Sequence, residues 1–105
     1  MSSYVRGNVY FVDTDFGTKP YLIVSNNARN KAFDSAIAVR ITTTAPKRPR
    51  PSIVPLSNND PLVGFVLCDS IATLWDDEPA IHSGALSPTT MYNVAEGLKA
   101  AFAIP

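Results

Sequence analysis

Apolar positions change their period along the chain, dividing it into a strand-rich body and one terminal helix. Val9, Tyr10, Phe11 and Val12 form a short apolar run that predicts a first strand. Residues 21–24 are β-branched and aromatic, and read as a strand covered on both faces. Pro20 should mark the start or edge of that strand, since proline cannot donate to a ladder. Residues 13–18 form the turn between the two. From 36 to 43, Ile37, Val39 and Ile41 alternate with Ala38, Arg40 and Thr42, which sends Arg40 and Thr42 to one face and the apolar set to the other. Further strands are expected at 52–56, at 64–69 and 71–75 (as one bent ribbon) and at 81–86, with a single helical turn at 28–33. Only after Ser87 does the period become 3.6, through Met91, Val94, Ala95, Leu98, Ala101 and Phe102. Ser87 is a good N-cap, and Pro88 is tolerated at the first helical position. Gly97 weakens this helix by about 1 kcal/mol relative to alanine unless it permits close packing. The pattern predicts one mostly β domain over residues 1–105: a small, strongly bent sheet or partly open barrel with a C-terminal helix packed on it.

Composition narrows the class. An apolar content of 46% supports a real core, and no run approaches the length of a membrane span. Residues 1–6 lack the charged and apolar regions of a signal peptide. The single cysteine, Cys68, lies among Phe65, Val66 and Leu67 and is expected to be a small buried side chain. One Cys and one His cannot build an ordinary tetrahedral zinc site, so neither metal nor cofactor is expected. These features fit a reducing cytoplasm. Net charge is zero but segregated: residues 1–50 carry eight Lys and Arg against three Asp, and residues 51–105 carry one Lys against six carboxylates. Either the chain has a basic face suited to an anionic polymer, or the two halves interleave and their charges mix.

Three features suggest phosphate chemistry. Lys19 stands at a strand end. Thr42, Thr43 and Thr44 close another strand that also carries Arg40. Lys47, Arg48 and Arg50 decorate a proline-rich loop, A-P-K-R-P-R-P, that can be neither helix nor central strand. A phosphodiester needs cations for its oxygens and hydroxyl or amide donors to orient it. The alternatives are plain β-propensity for the threonines and a stiff, solvated connection for the loop.

The same residues resemble a known family. Arg6-Gly7-Asn8-Val9-Tyr10 is similar to the opening R-G-[DE]-[IV]-[WY] of the MazF/PemK toxin endoribonucleases. Residues 19–26 resemble their R-P-[AV]-L-V-[VI]-[ST]-N strand, and residues 39–43 their V-x-[PI]-[LIT]-T segment, with Thr42 on the recurrent threonine. Residues 66–73 resemble V-x-x-D-[QN]-[IV]-[RK]-[TS], with Asp69 on the aspartate. Residues 84–91, G-A-L-S-P-T-T-M, follow G-x-L-S-P-E-x-M. The matches run in order from residue 6 to 103. The resemblance implies an SH3-like, partly open barrel of the CcdB/MazF type, assembled as a homodimer whose interface the RNA groove straddles. It implies metal-independent cleavage of single-stranded RNA to a 2′,3′-cyclic phosphate, with messenger, ribosomal or transfer RNA as possible targets. It also implies an antitoxin, acidic where its flexible tail crosses the groove.

Carried over residue by residue, the resemblance makes Lys19, Thr42 and Asp69 the catalytic candidates. Lys19 would stabilise the charged transition state, Thr42 would hydrogen-bond a phosphate oxygen or the leaving group, and Asp69 would act as base or orient Lys19; a purely structural Asp69 is the alternative. The RNA-binding candidates are Arg6, Thr14, Asn26, Arg40, Thr43, Thr44, Lys47, Arg48 and Arg50. This chain departs from the family at Lys19, where arginine is usual, at Leu67 and Ala72, where basic residues occur, and in a short first turn. His82 lies outside every matched motif and is assigned a surface or interface role. A CcdB-like topoisomerase poison is the rival reading. It acts through a helix end that often carries tryptophan, whereas this helix ends Phe102-Ala103-Ile104-Pro105 and Trp75 lies far upstream.

Overall fold

In the computed structural model, which describes residues 2–105, Asn8–Thr14 (β1) and Gly17–Ile23 (β2) form an antiparallel hairpin. The short helix Asn27–Ala32 (α1) leads into Ser35–Thr42 (β3). Ile53–Pro55 (β4), Phe65–Trp75 (β5) and Ala80–Ala85 (β6) follow, and Pro88–Phe102 (α2) ends the chain. The strands make one antiparallel sheet in the order β4-β5-β3-β2-β1-β6, with β4 and β6 as unjoined edges. The barrel is therefore open, as the pattern predicted. No helix among the described residues is long and apolar enough to cross a membrane.

The middle strands are covered on both faces. Val9, Leu22, Val39, Ile41, Val66 and Cys68 pack with Val94 of α2 on one side. Tyr4, Val12, Ile23, Ala36, Ala38 and Leu74 pack on the other. Strand β3 is thus not split into an apolar and a polar face: Ala38 is fully buried, and Ile37 is 36% exposed because α2 covers β4 and β5 rather than this end of β3. The predicted ribbon at 64–75 is one strand. Its register against β3 jumps from Val39↔Ile71 to Arg40↔Leu67, leaving Cys68, Asp69 and Ser70 as a bulge.

Pro20 is not at a strand start. It is the fourth residue of β2, between β1 and β3. The Val24 amide donates to Ile37 O. In an antiparallel ladder every second residue of β2 then faces β3, so Pro20 falls where Ile41 O would need a donor. The β2–β3 ladder stops at Tyr21↔Arg40, while the β1–β2 ladder continues past Pro20 to Thr14↔Gly17.

Helix α2 is fixed at its start and its middle. The Ser87 side chain accepts from Thr90 N–H. Asp60 accepts from Ser57 N at 2.7 Å, Ser87 N at 2.8 Å and Thr90 Oγ1 at 2.7 Å, clamping the 57–62 loop to the helix N-terminus. Partial desolvation, the largest influence on Asp60, pushes its pKa up. The hydrogen bonds from Ser57, Ser87 and Thr90 outweigh it and hold the carboxyl down at about 2. Further along, Gly97 allows close packing: a Cβ there would lie 2.8 Å from Cys68 Sγ and 3.0 Å from Val54 Cγ2, both buried.

Gly97→Ala should therefore destabilise the fold by up to about 2 kcal/mol. An overpacking cost of about 1–3 kcal/mol exceeds the helix-propensity gain of about 1 kcal/mol. Urea denaturation checks this, and an unchanged or raised midpoint contradicts it. Because the Asp60 carboxyl is held below its ordinary ~3.9, its stabilisation is complete above that pH and is lost as pH falls through about 2. Asp60→Ala should lower stability at pH 7 by about 2 kcal/mol and flatten the acid limb of a stability–pH curve between about pH 4 and 2.

Candidate functional site

The end of the β2–β3 ladder opens a cleft. Continuing the register beyond Tyr21↔Arg40 sets Lys19 across from Thr42. With no rung at Pro20 the strands part, leaving a space of ≈ 270 Å³ lined by Thr18, Lys19 and Pro20 on one side and residues 40–44 on the other. Lys19 and Thr42 are half-buried at this cleft. Cross-strand partners in an antiparallel sheet share a face, and alternate residues of a strand do too. Lys19, Tyr21, Arg40 and Thr42 therefore face the same way.

The threonines are shaped for donation. Thr44 N–H donates to Thr42 Oγ1 at 3.2 Å, which fixes that oxygen and leaves its O–H to donate into the cleft. Behind it, Gly64 sits at φ +139° with its Cα against the Thr42 carbonyl: a Cβ there would lie 2.3 Å from Thr42 O. The end of β3 thus rests on a position that only glycine fits.

Cations dominate here, although Asp13 bonds to the lining residue Thr18, accepting from its Oγ1 at 2.6 Å. No carboxylate lines the cleft, and the ion pair found among the described residues, Lys99 with Glu96 at 3.7 Å, is on exposed α2. Next to the cleft in sequence, Lys47, Arg48 and Arg50 line a second hollow of ≈ 340 Å³ with Ile53. At the far end of the β3–β5 ribbon, Asp34, Trp75, Asp76 and Asp77 line another hollow. The eight residues of β3 separate the two poles by roughly 25 Å.

The other sequence candidates divide by location. Arg40, Thr43 and Thr44 line the cleft with Lys19 and Thr42. Asp69 does not: it is exposed in the β5 bulge, beyond β3. Arg6 and Asn26 belong to the corner between β2 and α1. The Arg6 guanidinium donates to Val24 O, its backbone N–H donates to Asn27 Oδ1 at 2.8 Å, and Asn26 Oδ1 caps α1 by accepting from Arg29 N at 2.7 Å. Beside them, buried Ser25 and Asn30 are hydrogen-bonded at 2.5 Å. The S-N-N motif is thus committed to holding the fold. Thr14 closes the β1–β2 turn, donating to Gly17 O at 2.6 Å. His82 is exposed on edge strand β6, with its ring 5.2 Å from that of Tyr10. Cys68 is fully buried, and burial, aided by the Asp69 charge, pushes its thiol up to about 11, so it offers no thiolate nucleophile. Three features escaped sequence reasoning: Pro20 as the cause of the cleft, Gly64 behind Thr42, and the Asp60 clamp. A proline directly before the apolar run at 21–24 is the sequence signal for the first.

Known proteins resemble this chain in sequence and fold. Residues 5–102 match the family described as PemK-like, MazF-like toxin of type II toxin–antitoxin system. Endoribonuclease MazF1 of Mycobacterium bovis and endoribonuclease MazF4 of Mycobacterium tuberculosis are each 43% identical over 105 residues, covering 100% of this chain and 98% of the relative. A solved mycobacterial endoribonuclease in complex with its cognate antitoxin superposes with a TM-score of 0.92 at 43% identity, covering 98% of both chains.

Proposed function

The chain belongs to the PemK-like, MazF-like toxins of type II toxin–antitoxin systems, and from that premise we propose that it is an endoribonuclease that cuts single-stranded RNA at short sequences without a metal ion. The observation that carries this reading is the pairing of Lys19 with Thr42 across the parted ends of β2 and β3. A cation and a hydroxyl donor on two rigid strands can hold one phosphodiester in a fixed pose.

The reaction follows from that pose. The ribose 2′-oxygen attacks the adjacent phosphorus. A P–O2′ bond forms, the P–O5′ bond breaks, and the products are a 2′,3′-cyclic phosphate and a 5′-hydroxyl. The 2′-hydroxyl gives up one proton and the departing O5′ gains one, so no water is consumed. Lys19 neutralises the charge that builds on the phosphoryl oxygens, and Thr42 Oγ1 donates to one of them or to O5′. Asp69 lies outside the cleft that holds this phosphate, so in this reading the 2′-hydroxyl proton passes to solvent. Arg40, Thr43 and Thr44 bind within the cleft, and Lys47, Arg48 and Arg50 take up neighbouring phosphates.

The partners follow from the same charge layout. A basic pole suits an acidic antitoxin segment that competes with RNA, in keeping with the mycobacterial complex of endoribonuclease and cognate antitoxin. The active form in this reading is a homodimer working in the cytoplasm.

Lys19→Ala should abolish cleavage of a transcribed messenger RNA in EDTA while the protein stays dimeric by size-exclusion chromatography; full activity refutes the site. Thr42→Ala should cut at least tenfold more slowly, about 1.4 kcal/mol of barrier, as expected for one hydrogen bond to a charged group. A wild-type rate in single-turnover assays removes Thr42 from the mechanism.

A further inference from the structure

Arg40 carries a donor that the fold leaves unused. Its Nε is buried and has no hydrogen-bond partner. The side chain lies between its cross-strand neighbours, Tyr21 on β2 and Leu67 on β5, both half-buried and on the same face. These two flank its stem in the sheet, and neither offers it a carboxylate. Leaving a buried donor unpaired is unfavourable, more so when it belongs to a charged group. Most buried polar atoms are paired, and Arg40 lines the open cleft, so an acceptor entering there is the partner this guanidinium lacks.

The acceptor's chemistry can be read from the surroundings. Arg40 and Thr42 are alternate residues on one strand face, and Lys19 stands across from Thr42 in the same cleft. Two cations and a hydroxyl donor with no anion among them select a doubly oxygenated anion, and a guanidinium fork matches two such oxygens better than an ammonium does. We propose that Arg40 is the fixed half of a two-cation cradle, its guanidinium holding the non-bridging oxygens of the phosphodiester that Lys19 engages from the opposite strand. This rests on the endoribonuclease reading for its chemistry, but the anion cradle itself can be tested by binding alone. The two cations then have different duties. Arg40, flanked by Tyr21 and Leu67, fixes the phosphate. Lys19, on the strand end freed by Pro20, follows the charge as the transition state forms.

The test compares the wild type with Arg40→Met and Arg40→Lys in three measurements. These are binding of a fluorescein-labelled, mixed-sequence single-stranded oligodeoxynucleotide across a salt series, cleavage of a transcribed messenger RNA, and thermal unfolding without nucleic acid. Arg40→Met should bind about tenfold more weakly, with a log–log salt slope smaller by roughly 0.7, the value for one single-strand phosphate contact. It should cut RNA at least a hundredfold more slowly and unfold at the same or a higher temperature, because the orphaned donor is gone. Arg40→Lys should keep the salt slope yet cut at least tenfold more slowly, because the fork is lost. Wild-type slope and cleavage in Arg40→Met overturn the proposal, as does a lowered unfolding temperature with an unchanged slope, which marks a structural arginine. Should Arg40→Met fail to fold, a wild-type cleavage rate in Arg40→Lys overturns it instead. If the wild-type protein cuts no RNA but the slope still falls in Arg40→Met, the cradle stands and the endoribonuclease reading falls.

Discussion

A proline in a central strand governs the functional end of this molecule. Pro20 lacks the N–H that the next rung between β2 and β3 requires, so the ladder ends at Tyr21↔Arg40. On its other side β2 keeps its pairing with β1 to the hairpin turn, and the strand therefore stays held in the sheet while it separates from β3. The separation exposes no loose loop. It presents two strand ends, each anchored on a buried core, with Lys19 on one and residues 40–44 on the other. Rigid elements position reacting groups more tightly than loops do, and here the site is an interrupted sheet.

The remainder of the chain keeps these ends in place. The corner built from Arg6, Ser25, Asn26, Asn27 and Asn30 locks the far end of β2 to α1. Gly64 lets β5 begin directly against the Thr42 carbonyl. Asp60 ties the loop before β5 to α2, and Gly97 lets α2 settle onto Cys68 and Val54. Family motifs thus serve two purposes in this chain: the Arg6-Gly7 and Ser25-Asn26 segments mainly hold the fold, and the Lys19 and Thr42 segments face the cleft. The charge layout matches this division, with unpaired cations at one end of the β3–β5 ribbon and carboxylates at the other.

Much of this was legible from residue pattern. Strong periodicity marked β1, β2 and α2, and the Ser87-Pro88 pair fixed the start of the helix to the residue. The ribbon at 64–75 was legible as bent, but not where it bends, because a bulge depends on a partner strand's register. Strand β3 departs from its pattern. Alternation predicts one covered face, whereas both faces of a central strand are covered, so Ala38 is buried and Ile37 reaches the surface. Of the site, Lys19 and Thr42 were legible as chemistry and, once the register is known, as neighbours. Arg6, Thr14 and Asn26 have the right chemistry for RNA, but hydrogen bonds to Val24, Gly17 and Arg29 occupy them, and composition does not disclose such partners.

The most direct test is a crystal structure of the protein with an RNA oligonucleotide spanning a mapped cut site, its single reactive 2′-hydroxyl replaced by hydrogen. The account predicts the uncut phosphodiester between the parted ends of β2 and β3, with its oxygens within hydrogen-bond distance of both Lys19 Nζ and Thr42 Oγ1. A scissile phosphate seated on the 45–51 loop or at the acidic pole, with the cleft unfilled by RNA, would contradict it.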